Sequence, residues 1–245
     1  MISVSFVIPL HNEEKNILLL IRRIVNFASN KKWNYEIIPV DDRSTDNTAS
    51  LLKKISRENK RLNPVFRKKS SEEKGNTMGR ALLEGTLKAR GEFIIWTMGD
   101  LADDTSTYGK IIDKLETGFD LVFGSRYMPG GSRGNLDPLK AFLSSWGTLL
   151  AKVMFGVKVH DITNAFRGFR KKIVPELRLS SSGFSISPEF AIKAYLQGYK
   201  LGEVPTVYTN RVEGVSSFKL LKMIRSYLRL YLNLFYQYKI RRQIN

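Results

Sequence analysis

Three aspartates, Asp100, Asp103 and Asp104, fall within five residues. Carboxylates so crowded repel one another unless a cation joins them. A hard divalent ion such as Mg²⁺ or Mn²⁺ takes oxygen ligands of this kind and completes its shell with phosphate oxygens and water. All three are therefore candidate metal ligands. Asp104 precedes Thr105-Ser106-Thr107 and is also placed to cap a helix. A second acidic pair, Asp41-Asp42, ends an apolar run. A carboxylate there can accept hydrogen bonds from a base or ribose, or close an Asx-turn, for which Asp46 is the better candidate. Other chemistries are excluded or unsupported. The chain has no cysteine, so disulfides, thiolate metal sites and a cysteine nucleophile are absent, as suits a reducing compartment. His11 and His160 are isolated and read as structural or surface residues. Neither a phosphate-binding P-loop nor a GxGxxG fingerprint occurs, which leaves ATPase and hydride-transfer readings without support.

These polar clusters need strands and helices to position them. Val4–Pro9 reads as a buried strand. Glu13–Ser29 carries Ile17, Leu20, Ile21, Ile24 and Phe27 at helical spacing. Tyr35–Val40 is a second strand and residues 47–57 a helix capped by Thr45 or Asp46. Pro64–Lys68 is a weak strand, Gly79–Ala89 a helix, Glu92–Thr97 a strand, Thr105–Glu116 a helix, and Asp120–Gly124 a strand. Alternation of this kind implies an α/β fold with a mostly parallel sheet flanked by helices. In such sheets ligands sit at the carboxyl ends of the strands. Asp41–Asp46, Asp100–Asp104 and Ser125-Arg126 all fall there. The back half is less regular. It has a Gly-rich loop at 128–135, a helix at Leu139–Phe155, an irregular polar stretch at Asp161–Arg170, a helix at Pro188–Gln197 and an extended stretch at Lys200–Thr209.

Of 245 residues, 40 are Lys or Arg and 23 Asp or Glu, for a net charge of +17. The excess is segregated: residues 1–120 carry +3 and residues 121–245 carry +14. A basic back half suggests a phosphate-bearing or anionic partner there. Ser217–Tyr238 reads as an amphipathic helix, with an apolar stripe of Leu220, Ile224, Tyr227, Tyr231, Phe235 and Tyr238 opposite Lys219, Lys222, Ser226, Arg229, Asn233 and Gln237. Such a helix lies in a membrane interface or packs on its own domain with a solvated basic face; periodicity alone does not choose. No signal peptide and no membrane-spanning run is expected.

Taken in order, Val7–Glu14, Val40–Thr48, Met98–Leu101 and Gly124–Tyr127 resemble the successive motifs of inverting GT-A glycosyltransferases of family 2. Asp161–Arg167, Gly198–Pro205 and Arg211–Lys219 are similar to the dolichol-phosphate mannose synthase branch, which includes polyprenyl-phosphate glycosyltransferases. The resemblance covers nearly all of residues 1–225. It implies a Rossmann-like GT-A catalytic domain over 1–215, with a nucleotide-sugar half (1–120) and an acceptor half (121–215), followed by an amphipathic basic membrane-surface helix at 216–245. It implies transfer of a sugar from GDP-mannose or a UDP-hexose to a polyprenyl or dolichyl monophosphate, with inversion. Pro9, Glu13, Asp41 and Asp42 would surround the nucleotide, and Asp100 would meet the metal and donor diphosphate. Arg126, Lys140, Ser144 and Arg211 would hold the acceptor phosphate, and Asp100, Arg126 and Arg211 would be catalytic. Where the family often has Asp-x-Asp-x-Gln, this chain has Met98, Asp100 and Ala102, so either Asp103 or Asp104 substitutes or the metal site is weaker or changed.

That chemistry is coherent with what the chain lacks. A phosphate monoester is already ionised at neutral pH, so it attacks without a general base. The site must hold two anions in line and offset charge on the leaving diphosphate, tasks for a divalent ion and for cationic side chains. The expected location is the cytoplasmic face of a membrane, bound peripherally or through a separate membrane protein. Three alternatives stand: a family-2 enzyme using a saccharide or protein hydroxyl, with Glu189 as its base; a basic nucleic-acid-binding module; and an inactive relative, on account of Met98 and Ala102. The aromatics lie on one helical stripe and do not interleave with bases, so no nucleic acid is expected as partner.

Overall fold

The computed structural model describes residues 3–68, 76–209 and 220–240. Apolar side chains alternate along the first strand, β1 (Val4–Leu10). Phe6, Ile8 and Leu10 face one layer of helices and Val7 the other. A strand buried on both faces belongs at the centre of a parallel sheet. β1 indeed lies between β2 (Tyr35–Asp41) and β4 (Phe93–Trp96), parallel to both. The whole sheet has seven strands in the order β3-β2-β1-β4-β6-β5-β7, with β3 at Val65–Phe66, β5 at Leu121–Ser125, β6 at Arg167–Arg170 and β7 at Leu201–Pro205. Among the described residues only β6 runs antiparallel, wedged between β4 and β5.

Helices α1 (Ile17–Asn30), α2 (Thr48–Glu58) and α4 (Thr107–Glu116) contribute to the core on one face. On the other lie α3 (Met78–Lys88), α5 (Pro138–Phe155), the short α6 (Val174–Leu177), α7 (Ile186–Leu196) and α8 (Leu220–Phe235). Trp96, Phe169 and Phe190 meet edge-on at the centre of this second layer, with ring centroids 4.8–5.4 Å apart. This is the expected mostly parallel, helix-flanked sheet. β6 is the exception. It lies in the stretch read as irregular, because Arg-Gly-Phe-Arg is short and has no apolar alternation to mark it.

The aromatic stripe of α8 is directed inward. Tyr227, Tyr231 and Leu234 are buried, Tyr231 and Leu234 in the same core as the sheet. The Tyr231 hydroxyl donates to the Gly147 carbonyl of α5 at 2.9 Å. Of the two readings of that stripe, the structure selects packing on its own domain. The opposite face keeps Leu221, Leu228 and Leu232 exposed, beside exposed Lys222, Arg225 and Arg229. Among the described residues no helix is long and apolar enough to cross a membrane.

Candidate active site at the carboxyl ends of the strands

β1 and β2 each end in a turn, and the two turns are stitched together. Asn12 N donates to Ser44 Oγ, Glu13 N to Thr48 Oγ1, Glu14 N to Asp46 Oδ2, Thr45 N to Asn12 Oδ1 and Asn47 N to Glu14 Oε2, at 2.8–3.1 Å. Asp46 Oδ1 accepts from Thr48 N at 2.9 Å, so Asp46 serves the turn as expected. Three non-glycine residues near these strand ends adopt the left-handed conformation: Asn12 (φ 58°), Arg43 (φ 62°) and Leu101 (φ 64°). They follow β1, β2 and β4. Backbone strain costs free energy and clusters at sites whose geometry is used.

Pro9, half-buried, and buried Glu13 lie at the end of β1, with the Glu13 carboxylate accepting from Asn16 Nδ2 at 2.7 Å. Asp41 and Asp42, at the end of β2, part company. Asp42 Oδ1 accepts from Arg43 Nε at 3.0 Å and Arg67 Nη1 at 2.6 Å, and its Oδ2 accepts from Thr77 Oγ1. That carboxylate is spent on anchoring β3 and the head of α3. Asp41 is 4% exposed, and its Oδ1 is buried with no hydrogen-bond partner. A buried carboxylate oxygen without a donor is costly. Asp41 Oδ1 is thus a buried acceptor left open at the end of β2.

The three aspartates after β4 do not form the expected cluster. Asp103 Oδ2 accepts from Met98 N at 2.8 Å and Thr97 Oγ1 at 3.1 Å, closing the turn. Desolvation, then repulsion from Asp100, pushes its pKa up to about 7. Asp104 accepts from Ser106 N, Ser106 Oγ and Thr107 Oγ1 at 2.7–3.4 Å, so it is spent on the turn that leads into α4, whose own N-cap position is Ser106. Asp100 is half-buried, with Oδ1 3.2 Å from Ala102 N. Among the described residues no three His, Cys, Asp or Glu side chains gather to hold a metal. Among the described residues, Asp100 is the aspartate of this turn least committed to it, and a divalent ion held there would take phosphate oxygens and water for the rest of its shell. Mg²⁺ accepts such an arrangement.

Beyond β5, Arg126 meets Asp161. Its Nε donates to Oδ2 at 2.7 Å and its Nη2 to Oδ1 at 3.0 Å. Nη2 also reaches Ser144 Oγ on α5 at 2.9 Å and Thr163 Oγ1 at 3.3 Å. Burial would lower the Arg126 pKa, but the Asp161 carboxylate more than compensates and holds it above the usual range. Lys140, half-buried, sits one helical turn before Ser144 on α5. Thr209 N donates to the Ala102 carbonyl at 3.0 Å. Arg211 lies outside the described residues. Arg126 and Ser144 are therefore together as expected.

Asp161, Thr163 and Arg67 were not among the expected site residues. For Asp161 a signal existed: residues 121–245 hold only six acids, and an acid in so basic a segment calls for a specific cation. Glu189, the base that a hydroxyl acceptor would require, is 1% exposed. Ser180 N, Ser180 Oγ, Ser181 N and Lys193 Nζ donate to its carboxylate at 2.6–3.2 Å. Burial raises its pKa, but Lys193 and Ser181 outweigh that and hold it below the ordinary carboxylate value. It fastens the 180–185 loop and has no spare basicity.

Comparison with known proteins agrees with this layout. The model of "Glycosyl transferase family 2" matches residues 5–178. A dolichol-phosphate mannosyltransferase of Pyrococcus furiosus is 32% identical over 230 residues, covering 93% of this chain and 62% of that protein. The chain thus spans less than two thirds of that relative's length. A polyprenol monophosphomannose synthase of Mycolicibacterium smegmatis is 27% identical over 216 residues, covering 86% of this chain and 78% of that one. In fold, glucosyl-3-phosphoglycerate synthase of Mycobacterium tuberculosis, solved with Mn²⁺, UDP and phosphoglyceric acid, superposes with a TM-score of 0.65 at 19% identity, covering 92% of this chain and 78% of that one. With its sheet, its acid-bearing turns at β1, β2 and β4 and its fixed arginine beyond β5, the chain belongs to glycosyl transferase family 2.

Proposed function

We propose that the chain transfers a sugar from a nucleotide-diphosphate sugar, GDP-mannose or a UDP-hexose, to a polyprenyl or dolichyl monophosphate, inverting the anomeric carbon. The observation that carries this is the combination of a built cation with a spent base. Arg126 is fixed at one end of the site, while Glu189 is saturated. A phosphate acceptor needs the first and does without the second. Asp41, with its partnerless Oδ1, accepts from the nucleobase, and Pro9 and Glu13 line the same strand end. Asp100 holds the divalent ion together with the donor diphosphate; when bound, Mg²⁺ or Mn²⁺ offsets charge on the leaving group. Ser144 and Lys140 join Arg126 at the acceptor phosphate, and Arg211 completes that set. The named relatives in the mannose synthase branch, and the Mn²⁺ and UDP held by the mycobacterial neighbour, support the choice of substrates and metal.

The acceptor lipid lives in a bilayer, so we place the protein at a cytoplasmic membrane surface. With the aromatic stripe of α8 turned inward, the bilayer contact falls to exposed Phe142, Leu149 and Val153 of α5 and Leu228 and Leu232 of α8, with Lys152, Lys222, Arg225 and Arg229 near the lipid phosphates. The deciding experiment is a panel of GDP- and UDP-sugars with a short polyprenyl phosphate and Mg²⁺ or Mn²⁺, read by lipid-product mass. A single inverted glycolipid is expected. No glycolipid across the panel defeats the reading.

A further inference from the structure

Arg126 is the cation expected to meet the acceptor, yet one edge of its guanidinium is already committed. Nε and Nη2 grip Asp161 in a fork, with the Ser144 and Thr163 hydroxyls also on Nη2. Among the described residues Nη1 makes no hydrogen bond. Asp161 is fully buried, and the loop that carries it is fastened from three sides. From β7, Glu203 Oε1 accepts from His160 N at 2.8 Å and Asp161 N at 3.1 Å. From β6, the fully buried Arg167 donates to the carbonyls of Ile162 and Asn164. Asn164 Nδ2 donates to the Gly124 carbonyl of β5 at 2.7 Å, while Asn164 N donates to Asp161 Oδ1 at 3.2 Å.

Burying Arg167 is expensive. Among the described residues no carboxylate salt-bridges it, its Nε is buried without a partner, and desolvation lowers its pKa to about 9. Rings of Phe123, Phe190 and Trp96 flank it at 4.9–5.9 Å. The outcome of this construction is that two side chains, Asp161 and Thr163, press against a single edge of Arg126. We infer that Asp161 is a positioning residue for the acceptor: it clamps the Nε–Nη2 edge of Arg126, so that the Nη1 corner and the Ser144 hydroxyl form a fixed receptor for the acceptor's phosphate.

The clamp cancels the formal charge of Arg126, so its contribution is direction and not attraction. An unclamped arginine gives up rotamer freedom each time it binds; a clamped one has given it up on folding. Long-range attraction of the anion then falls to Lys140 and the other bases of the back half. The inference rests on the acceptor being a phosphate monoester.

The test uses the full chain, a nucleotide sugar that it accepts, and farnesyl phosphate. Asp161→Asn is expected to raise the KM for farnesyl phosphate about tenfold or more, with a smaller fall in kcat and an unchanged KM for the donor. In an Arg126→Ala background the same substitution is expected to add nothing, since there is no guanidinium left to position. Thr163→Val, which keeps the ion pair, is expected to do the same on a smaller scale, and it carries the test if Asp161→Asn does not fold. Losses that multiply in the double variant, or donor and acceptor KM rising together, overturn the positioning role. Calorimetric binding of farnesyl phosphate separates this from failure of the functional reading. Equal affinity of wild type and Asp161→Asn overturns the clamp even in an active enzyme. A wild type that binds no farnesyl phosphate overturns both.

Discussion

At the ends of β1, β2 and β4 the polar groups belong to turns that directly continue the strands; the β1 and β2 turns bond one another, and Asp42 reaches on to Arg67 and Thr77. At the ends of β5 and β6 a cation is held by a carboxylate 35 residues away, supported in turn by Glu203 another 42 residues on. The first region keeps a buried acceptor open in Asp41 and stores strain at Asn12, Arg43 and Leu101. The second closes its polar groups on one another and leaves a single corner of Arg126. The contrast suits two different ligands. A nucleotide brings its own donors, which an open carboxylate can meet. A phosphate brings only acceptors, and a pre-aimed guanidinium suits it.

The comparison can be broken most forcefully at Glu189. Glu189→Gln leaves Lys193 buried without its ion partner, and a cost of about 3–5 kcal/mol is expected, seen as a lower midpoint in denaturant. Turnover per folded molecule should stay within a few-fold; abolished turnover in folded protein would make the acceptor end a base-dependent site. Next is Asp100→Asn, which removes the carboxylate proposed to hold the ion. A loss in kcat of about 10²–10³ is expected, unrepaired by excess Mn²⁺. A loss under tenfold would move the electrostatic burden to the acceptor cations.

Asp41→Ala sharpens the donor side. Losing a charge-assisted bond worth about 1.5–3 kcal/mol should raise the KM for the nucleotide sugar 10- to 100-fold and leave the acceptor KM alone. An effect on both would mean that the two regions are not separable. A last effect, on stability and dependent on pH, is expected from Asp103. Its folded pKa, about 7, lies above the unfolded value near 4, so the folded state holds the extra proton between them. Its contribution to stability is therefore complete below about pH 4 and lost as pH rises through about 7. Asp103→Asn, melted in metal-free buffer, should match wild type at pH 4 and exceed it at pH 8. Parallel melting curves at both pH values would refute the assignment.

The donor side was legible early because its information is local. Asp41, Asp42 and Asp100 end apolar runs whose periodicity marks them as strands, and strand ends in such sheets are where ligands bind. The carboxylates' individual duties were not legible. Asp42 is taken by Arg67 and Thr77, 25 and 35 residues on, and Asp103 by the turn beneath it. On the acceptor side the basic excess and Arg126 stood out, while Asp161 was passed over because its partner is remote in sequence. β6 was missed for a related reason: four residues with two arginines become a strand only when β4 and β5 supply edges on both sides.

By itself, then, the sequence determined the alternation of strands and helices, the placement of acids at strand ends, the charge imbalance between halves and the motifs of the family. These depend on hydrophobic period and composition, which are properties of short windows. Only the tertiary structure decided which carboxylate stays open, that Glu189 is spent, that Arg126 is clamped, and that the aromatic face of α8 lies against α5. Each of those is a competition among polar or apolar groups for partners, and its outcome is set by which distant segments the sheet order brings into contact.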